Sequence, residues 1–207
     1  AAAITAAVLL ALIAYILIRG IPHLKPSLFE LHYNSENVSM FPAMVMTLYM
    51  TVLCLLIATP LGVGCAIYLT EYAKRGNKVV EVIRLAAETL SGIPSIVYGL
   101  FGMLFFVTAL GWKYSILAGA CTLSIMVLPL IIRSTEEALK SVPDSYREAS
   151  FGLGAGKLRT VMRVVLPPAM PGIVAGIILA VGRIVGETAA LIYTAGTGAK
   201  ITGNPME

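Results

Sequence analysis

The sequence predicts an all-α, polytopic membrane protein, and three observations carry that expectation. Of the 207 residues, 58% are hydrophobic and 13% are charged, whereas a soluble domain has about a quarter of its residues charged. The mean hydropathy is +0.88. The apolar residues gather into runs long enough to cross a bilayer, rather than alternating or recurring on one helical stripe. The net charge of +4 reflects where the loops place their cations and gives no case for a nucleic-acid partner.

Five runs read as spans: Ala1 to Ile18, Ala43 to Ala73, Gly92 to Leu110, Ser115 to Ile132 and Gly172 to Tyr193. About 20 helical residues cross a hydrocarbon core of roughly 30 Å. The second run exceeds that, so it should project beyond the bilayer or bend at Pro60. Residues 1–207 read as a single transmembrane domain. The chain begins without Met inside an apolar run and stops soon after its last span, so it reads as lacking both ends. Cys54, Cys65 and Cys121 sit in apolar runs without metal-like spacing and read as core residues.

Lys and Arg set the orientation. Lys74, Arg75 and Lys78 lie in one loop; Lys140, Arg147, Lys157, Arg159 and Arg163 lie in another, about 134–170. Both loops are expected on the cytoplasmic side. Opposite them lie Arg19, Lys25 and Lys113, with Glu30 and Glu36. The segment Val80 to Leu90 is amphipathic, with Glu81, Arg84 and Glu88 on one face. It reads as an interfacial helix ending at Gly92-Ile93-Pro94. His23 and His32 fall in the outer loop and read as solvated residues, not as a metal site.

The long cytoplasmic loop predicts three short helices. Ser134 with Glu137 three residues later reads as a capping box opening the first. Pro143 interrupts it, Asp144 to Phe151 forms the second, and Lys157 to Val165 forms the third, ended by Pro167-Pro168. Ala149 and Ser150 are small enough for another protein to approach. Gly154 permits a backbone conformation costly to other residues. Leu166 and Pro167 fix how the chain re-enters the membrane. Glu148 offers one charge to a partner or a helix N-terminus. Gly152-Leu153-Gly154-Ala155-Gly156-Lys157 is not a P-loop, because Phe151 stands where Gly is needed and Leu158 where Ser or Thr is needed. Nor does it continue to a dinucleotide fingerprint.

Glu148-Ala149-Ser150, three residues, Gly154, nine residues, then Val164-Val165-Leu166-Pro167 resembles the coupling loop of binding-protein-dependent ABC importer permeases, E-A-A-x3-G-x9-I-x-L-P. Ser replaces one Ala and Val the Ile, and every spacing fits. The resemblance implies a type I ABC importer transmembrane domain. Such a chain binds no cofactor itself; ATP and Mg belong to a partner ATPase.

Two intramembrane charges add to this. Arg183 and Glu187 lie four apart in the fifth run and are expected on one helical face at mid-span, flanked by Gly182 and Gly186 for close helix approach. A charge at the bilayer centre costs about 2.5–3.5 kcal/mol on insertion scales. The pair can neutralise itself and fix packing, or it can line a path in which Arg183 meets an anion and Glu187 holds or releases it. A planar guanidinium suits phosphate or carboxylate oxygens. Arg133 can snorkel to the interface or join the path.

Gly182-Arg183-x-x-Gly186-Glu187-Thr188-Ala189-Ala190-Leu191, Ser91-Gly92-Ile93-Pro94-Ser95 through Gly102, and Leu128 through Leu139 are similar to the PstA-type permeases of phosphate-specific ABC importers. That resemblance spans Thr51 to Gly198. It implies six helices, a sixth lying beyond this sequence, and path positions at Arg133, Arg183 and Glu187. It also implies phosphate as cargo, a sister permease subunit, two ATP-binding subunits and an extracytoplasmic phosphate-binding protein. Rival expectations are a permease for another oxyanion, sulfate or molybdate, and an ion-coupled secondary transporter whose Arg183–Glu187 pair relays protons. No nucleophile–base or metal constellation supports a membrane enzyme.

Overall fold

The computed structural model describes residues 2–31, 33, 39–74, 76–196 and 203–206. Arg75, His32 and Glu36 therefore lie outside the described residues. All regular structure among the described residues is helical. Four helices are long and apolar enough to cross a membrane, or five if one bent pair counts as a span. The chain divides into two units, one holding Ala1–Met46 and the other Thr47–Gly198.

The first unit opens with α1, Ala2–Gly20, of which no residue is buried. Two short 3-10 turns follow, Ile21–His23 and Pro26–Phe29, each with a proline at its start. Pro lacks the N–H that such a start leaves unpaired anyway. Ser39 closes the connection by donating to the carbonyls of Leu28 and Glu30. His23 Nδ1 lies 2.9 Å from the Arg19 carbonyl oxygen.

The second span is α2, Phe41–Ile67, continued by a widened π-type turn, Tyr68–Tyr72. Together they make 32 residues, about 48 Å at 1.5 Å per residue. That is longer than a hydrocarbon core of about 30 Å, and the helix runs through Pro60 to Ile67. α3, Lys78–Ser91, is capped by Asn77, whose side chain accepts from Val79 N–H at 3.0 Å. It meets the helix Ser95–Ala109 at 106° across Gly92–Pro94. That helix is α4, Ser95–Gly102, extended by the wide turn Met103–Ala109.

α5, Ile116–Lys140, corrects one expectation. It runs for 25 residues without a break at Ile132. Ser134 does not cap a new helix; its Oγ donates to the Ile131 carbonyl one turn back, at 3.2 Å. Ser followed by Glu three residues later also occurs inside a helix, where the hydroxyl bonds backward. The cap lies at Ser115, which accepts from Ala118 N–H at 3.3 Å.

A second correction concerns the return to the membrane. α6 is Asp144–Gly152 and α7 is Lys157–Thr160. The helix does not end at Pro167-Pro168. α7 continues through the π-type turn Val161–Val165 into α8, Leu166–Val185. Pro167 and Pro168 cannot donate to carbonyls four residues back, at Arg163 and Val164. The wide turn sits at those carbonyls, so the helix passes the two prolines without breaking. α9, Ala189–Thr194, follows a break after Val185.

α5 and α8 make the most extensive helix pair. Gly172 and Gly176 lie four apart on α8 and let the backbones approach. A Cβ at Gly172 would lie 2.7 Å from Ala138 Cβ, and one at Gly176 would collide with the Ser134 side chain. Gly182 has nothing within 4 Å of such an atom, and Gly186 meets only its own helix carbonyls. The close approach expected at those two glycines thus occurs about three turns earlier, at Gly172 and Gly176. At the loop-side end of the pair, Leu139, Val142, Val165, Ala169 and Ile173 form a buried cluster.

Candidate functional site

The loop between α5 and α8 is a hairpin of short helices. Gly154 sits at its tip with φ +78°, a left-handed conformation that glycine adopts without a Cβ penalty. Ser150 is buried, not presented to a partner as the sequence suggested. Its Oγ lies 2.8 Å from Thr160 Oγ1, which binds α6 to α7. The Ser150 hydroxyl, at the position where the resembling pattern carries Ala, thus has a partner within the hairpin. Glu148 and Ala149 are exposed. Ser150, Gly154 and Val164 share a cleft of about 320 Å³ with Arg159 and Arg163. Three residues of the loop motif therefore line one cleft. Leu166 is half-buried against the cluster at the end of α5, while Pro167 is exposed.

A charged node lies where this loop meets the long helices. The Arg147 guanidinium donates to Glu71 through Nε at 3.1 Å and Nη2 at 2.7 Å. Nη1 also donates to the Val142 carbonyl at 2.8 Å and Nη2 to the Leu139 carbonyl at 3.0 Å. Asp144 Oδ1 takes a further bond from Nη1 at 3.2 Å. The side chains of Arg147 and Glu71 are 15% and 8% exposed. The hydrogen bonds that it donates to Glu71 push the Arg147 pKa above its ordinary value. Arg147 thereby pairs the Val142 carbonyl, just beyond α5, and adds a second donor to the Leu139 carbonyl, which also accepts from Val142 N–H at 3.4 Å.

The second constellation is a cavity of about 510 Å³ lined by Arg84, Glu88, Arg133, Glu136, Glu137, Lys140 and Arg183. Glu136, on α5, is the buried member. It accepts from Arg84 Nη2 of α3 at 2.6 Å and pairs with Lys140 at 3.2 Å. Arg133 is held loosely, 3.6 Å from Glu137 and 3.9 Å from Glu88, with its side chain 62% exposed. Arg183 lines the same cavity and makes no ion pair or side-chain hydrogen bond among the described residues. Arg133 and Arg183, named from sequence, therefore face one space.

Glu187 does not share a helical face with Arg183, as the four-residue spacing suggested. α8 ends at Val185, with Gly186 as its C-cap. Glu187 lies in the break and accepts from Ala190 N–H at 3.1 Å. Its carboxylate pairs with a free backbone donor at the start of α9. The lesson is local: Gly186 ends the helix one residue before the i,i+4 partner is reached. No Arg183–Glu187 ion pair is present among the described residues.

Sequence reasoning missed Glu71, Glu136 and the pairing role of Arg84. Lys140 lies four residues after Glu136, a helical spacing that signals the pair. Glu71 and Arg147 are 76 residues apart, and no local pattern links them.

A family model described as the binding-protein-dependent transport system inner membrane component matches residues 58–206. The chain is 42% identical over 197 residues to the probable ABC transporter permease protein YqgI of Bacillus subtilis (strain 168), covering 94% of this chain and 67% of that one. It is 40% identical over 156 residues to the phosphate transport system permease protein PstA 1 of Mycobacterium tuberculosis (strain ATCC 25618 / H37Rv), covering 75% of this chain and 50% of that one. It is 42% identical over 142 residues to PstA of Yersinia pestis, covering 67% and 46%. The chain spans about half the length of these PstA relatives. Among solved structures, the MetNI methionine ABC transporter in an inward-facing form aligns with a TM-score of 0.63 at 24% identity, over 77% of this chain and 74% of that one. An amino acid ABC transporter aligns at 0.57 with 20% identity, over 75% and 70%. Both are likenesses of fold.

Proposed function

The chain belongs to the family of binding-protein-dependent transport system inner membrane components, and from that premise we propose that it is the permease subunit of an ATP-driven phosphate importer. Its fold is that of a type I ABC importer transmembrane domain, and it is a multi-pass membrane protein. Its proposed partners are a sister permease, two ATP-binding subunits that carry ATP and Mg, and an extracytoplasmic phosphate-binding protein. ATP binding closes the two ATPases, and the Glu148–Pro167 loop takes up their movement. The spans then swing between inward-open and outward-open forms.

The observation that carries the cargo assignment is the Arg133–Arg183 cavity. Arg183 lines it without an ion-pair partner among the described residues, where Arg133 is tethered at 3.6 to 3.9 Å. Two guanidinium forks in one polar space offer paired donors to a tetrahedral oxyanion. Glu88, Glu136 and Glu137 line the same cavity and would hold back a cargo that lost its charge-assisted bonds. The ion-coupled alternative, which needs Arg183 and Glu187 as a relay, draws no support from a Glu187 bonded to Ala190 N–H.

Arg183→Gln in the reconstituted complex tests this. Phosphate uptake should fall while the subunits stay assembled. Undiminished uptake with normal ATP hydrolysis would remove Arg183 from the path. The same forks accept sulfate or molybdate, so competition by labelled anions decides among oxyanions.

A further inference from the structure

We propose that Arg147 is a positioning residue that makes the loop helix α6 move as one body with the loop-side ends of α2 and α5. This inference rests on the loop reading above and adds the residue that links the loop to the spans.

α6 packs on α7 and on the wide turn that follows it, within its own hairpin. Its one buried residue, Ser150, is spent on Thr160 inside that hairpin. Apart from Ser150, whose partner Thr160 lies at the start of the helix that runs on as α8, every side-chain hydrogen bond or ion pair from α6 to a membrane-spanning helix comes from Arg147 among the described residues. One edge of its guanidinium grips Glu71, in the widened turn that ends the second span. The same group grips the carbonyls of Leu139, in the last turn of α5, and Val142, just beyond it. The ends of α2 and α5 and the helix α6 therefore meet on one planar side chain, with Glu71 lying 76 residues from Arg147 in sequence.

Geometry explains why this position needs arginine. Five fixed N–H donors are shared among two carbonyls and two carboxylates. Lysine has the charge but presents a compact ammonium that cannot span partners on two edges. A tie made of short, buried, charge-assisted bonds resists stretching, so a push on α6 reaches Glu71 and Leu139 with little slack. Lys157, whose Nζ stands 5.1 Å from the centre of the Tyr72 ring, is a weaker second contact between the hairpin and the same turn.

The test uses the complete complex, purified with its native partners and reconstituted into vesicles. Labelled inorganic phosphate taken up per ATP hydrolysed is measured for Arg147→Lys and Glu71→Gln, with ATPase retention followed by pull-down. The ratio should fall about tenfold in both, as expected for losing a charged hydrogen-bond set, with the ATPase still bound. An unchanged ratio in Arg147→Lys overturns the proposal. So does a lowered ratio that comes with loss of the ATPase, which would make Arg147 a docking residue. Should Glu71→Gln fail to insert, Arg147→Lys decides alone. Glu148→Lys is measured beside them. If it lowers the ratio and Arg147→Lys does not, only the Arg147 link fails; if neither does, the loop reading fails.

Discussion

Arg147 and Arg183 carry the same side chain into opposite surroundings. Arg147 is nearly enclosed, and its donors reach Glu71, Asp144 and two carbonyls. Arg183 lines an open cavity with no ion pair among the described residues. A guanidinium whose donors are filled by the protein has nothing left to offer a ligand, and it works as a joint. One whose donors are unfilled still has its recognition capacity. The same contrast separates Glu136, buried under Arg84 and Lys140, from Glu137, exposed beside Arg133.

Substitutions should separate the two regions by what they damage. Glu71→Ala should have the largest effect on stability. It leaves Arg147 buried without its main counter-charge, at a cost of about 3 kcal/mol, read as a lowered melting temperature of the detergent-solubilised chain. An unchanged melting temperature would mean that water replaces the pair without loss. Arg183→Gln should leave that melting temperature in place but cut phosphate uptake by at least about tenfold, through loss of charge-assisted bonds worth about 1.5–3 kcal/mol. A drop in stability equal to that of Glu71→Ala would erase the distinction.

Gly154→Ala follows. A Cβ at φ +78° costs about 1 kcal/mol, and hydrogen exchange of the α6–α7 hairpin should quicken while α5 and α8 keep their protection. Arg133→Gln should cost least in stability, about 0.5 kcal/mol or less, because its pairs are exposed and long. Any larger change in melting temperature would move Arg133 into the class of Arg147.

Apolar runs made the spans legible, because a bilayer demands about 20 apolar residues whatever surrounds them. The loop was legible because glycine at positive φ and small residues at fixed spacing leave a linear trace. Helix boundaries were less so. Ser134-x-x-Glu137 has the same letters at a cap and inside a helix, and Pro167-Pro168 ends a regular helix but not one that widens beforehand. Spacing placed Arg183 and Glu187 on one face only as long as the helix continued, and Gly186 stopped it. The Arg147–Glu71 joint was invisible, since residues 76 apart meet only through the packing of three segments.

The most direct measurement is uptake of labelled phosphate by vesicles holding the purified complex and its binding protein, with and without ATP inside the compartment that the ATPases face. Uptake should require ATP, be suppressed by unlabelled phosphate and be left intact by equal sulfate or molybdate. Uptake driven by an ion gradient without ATP, or equal suppression by sulfate, would contradict phosphate import driven by ATP.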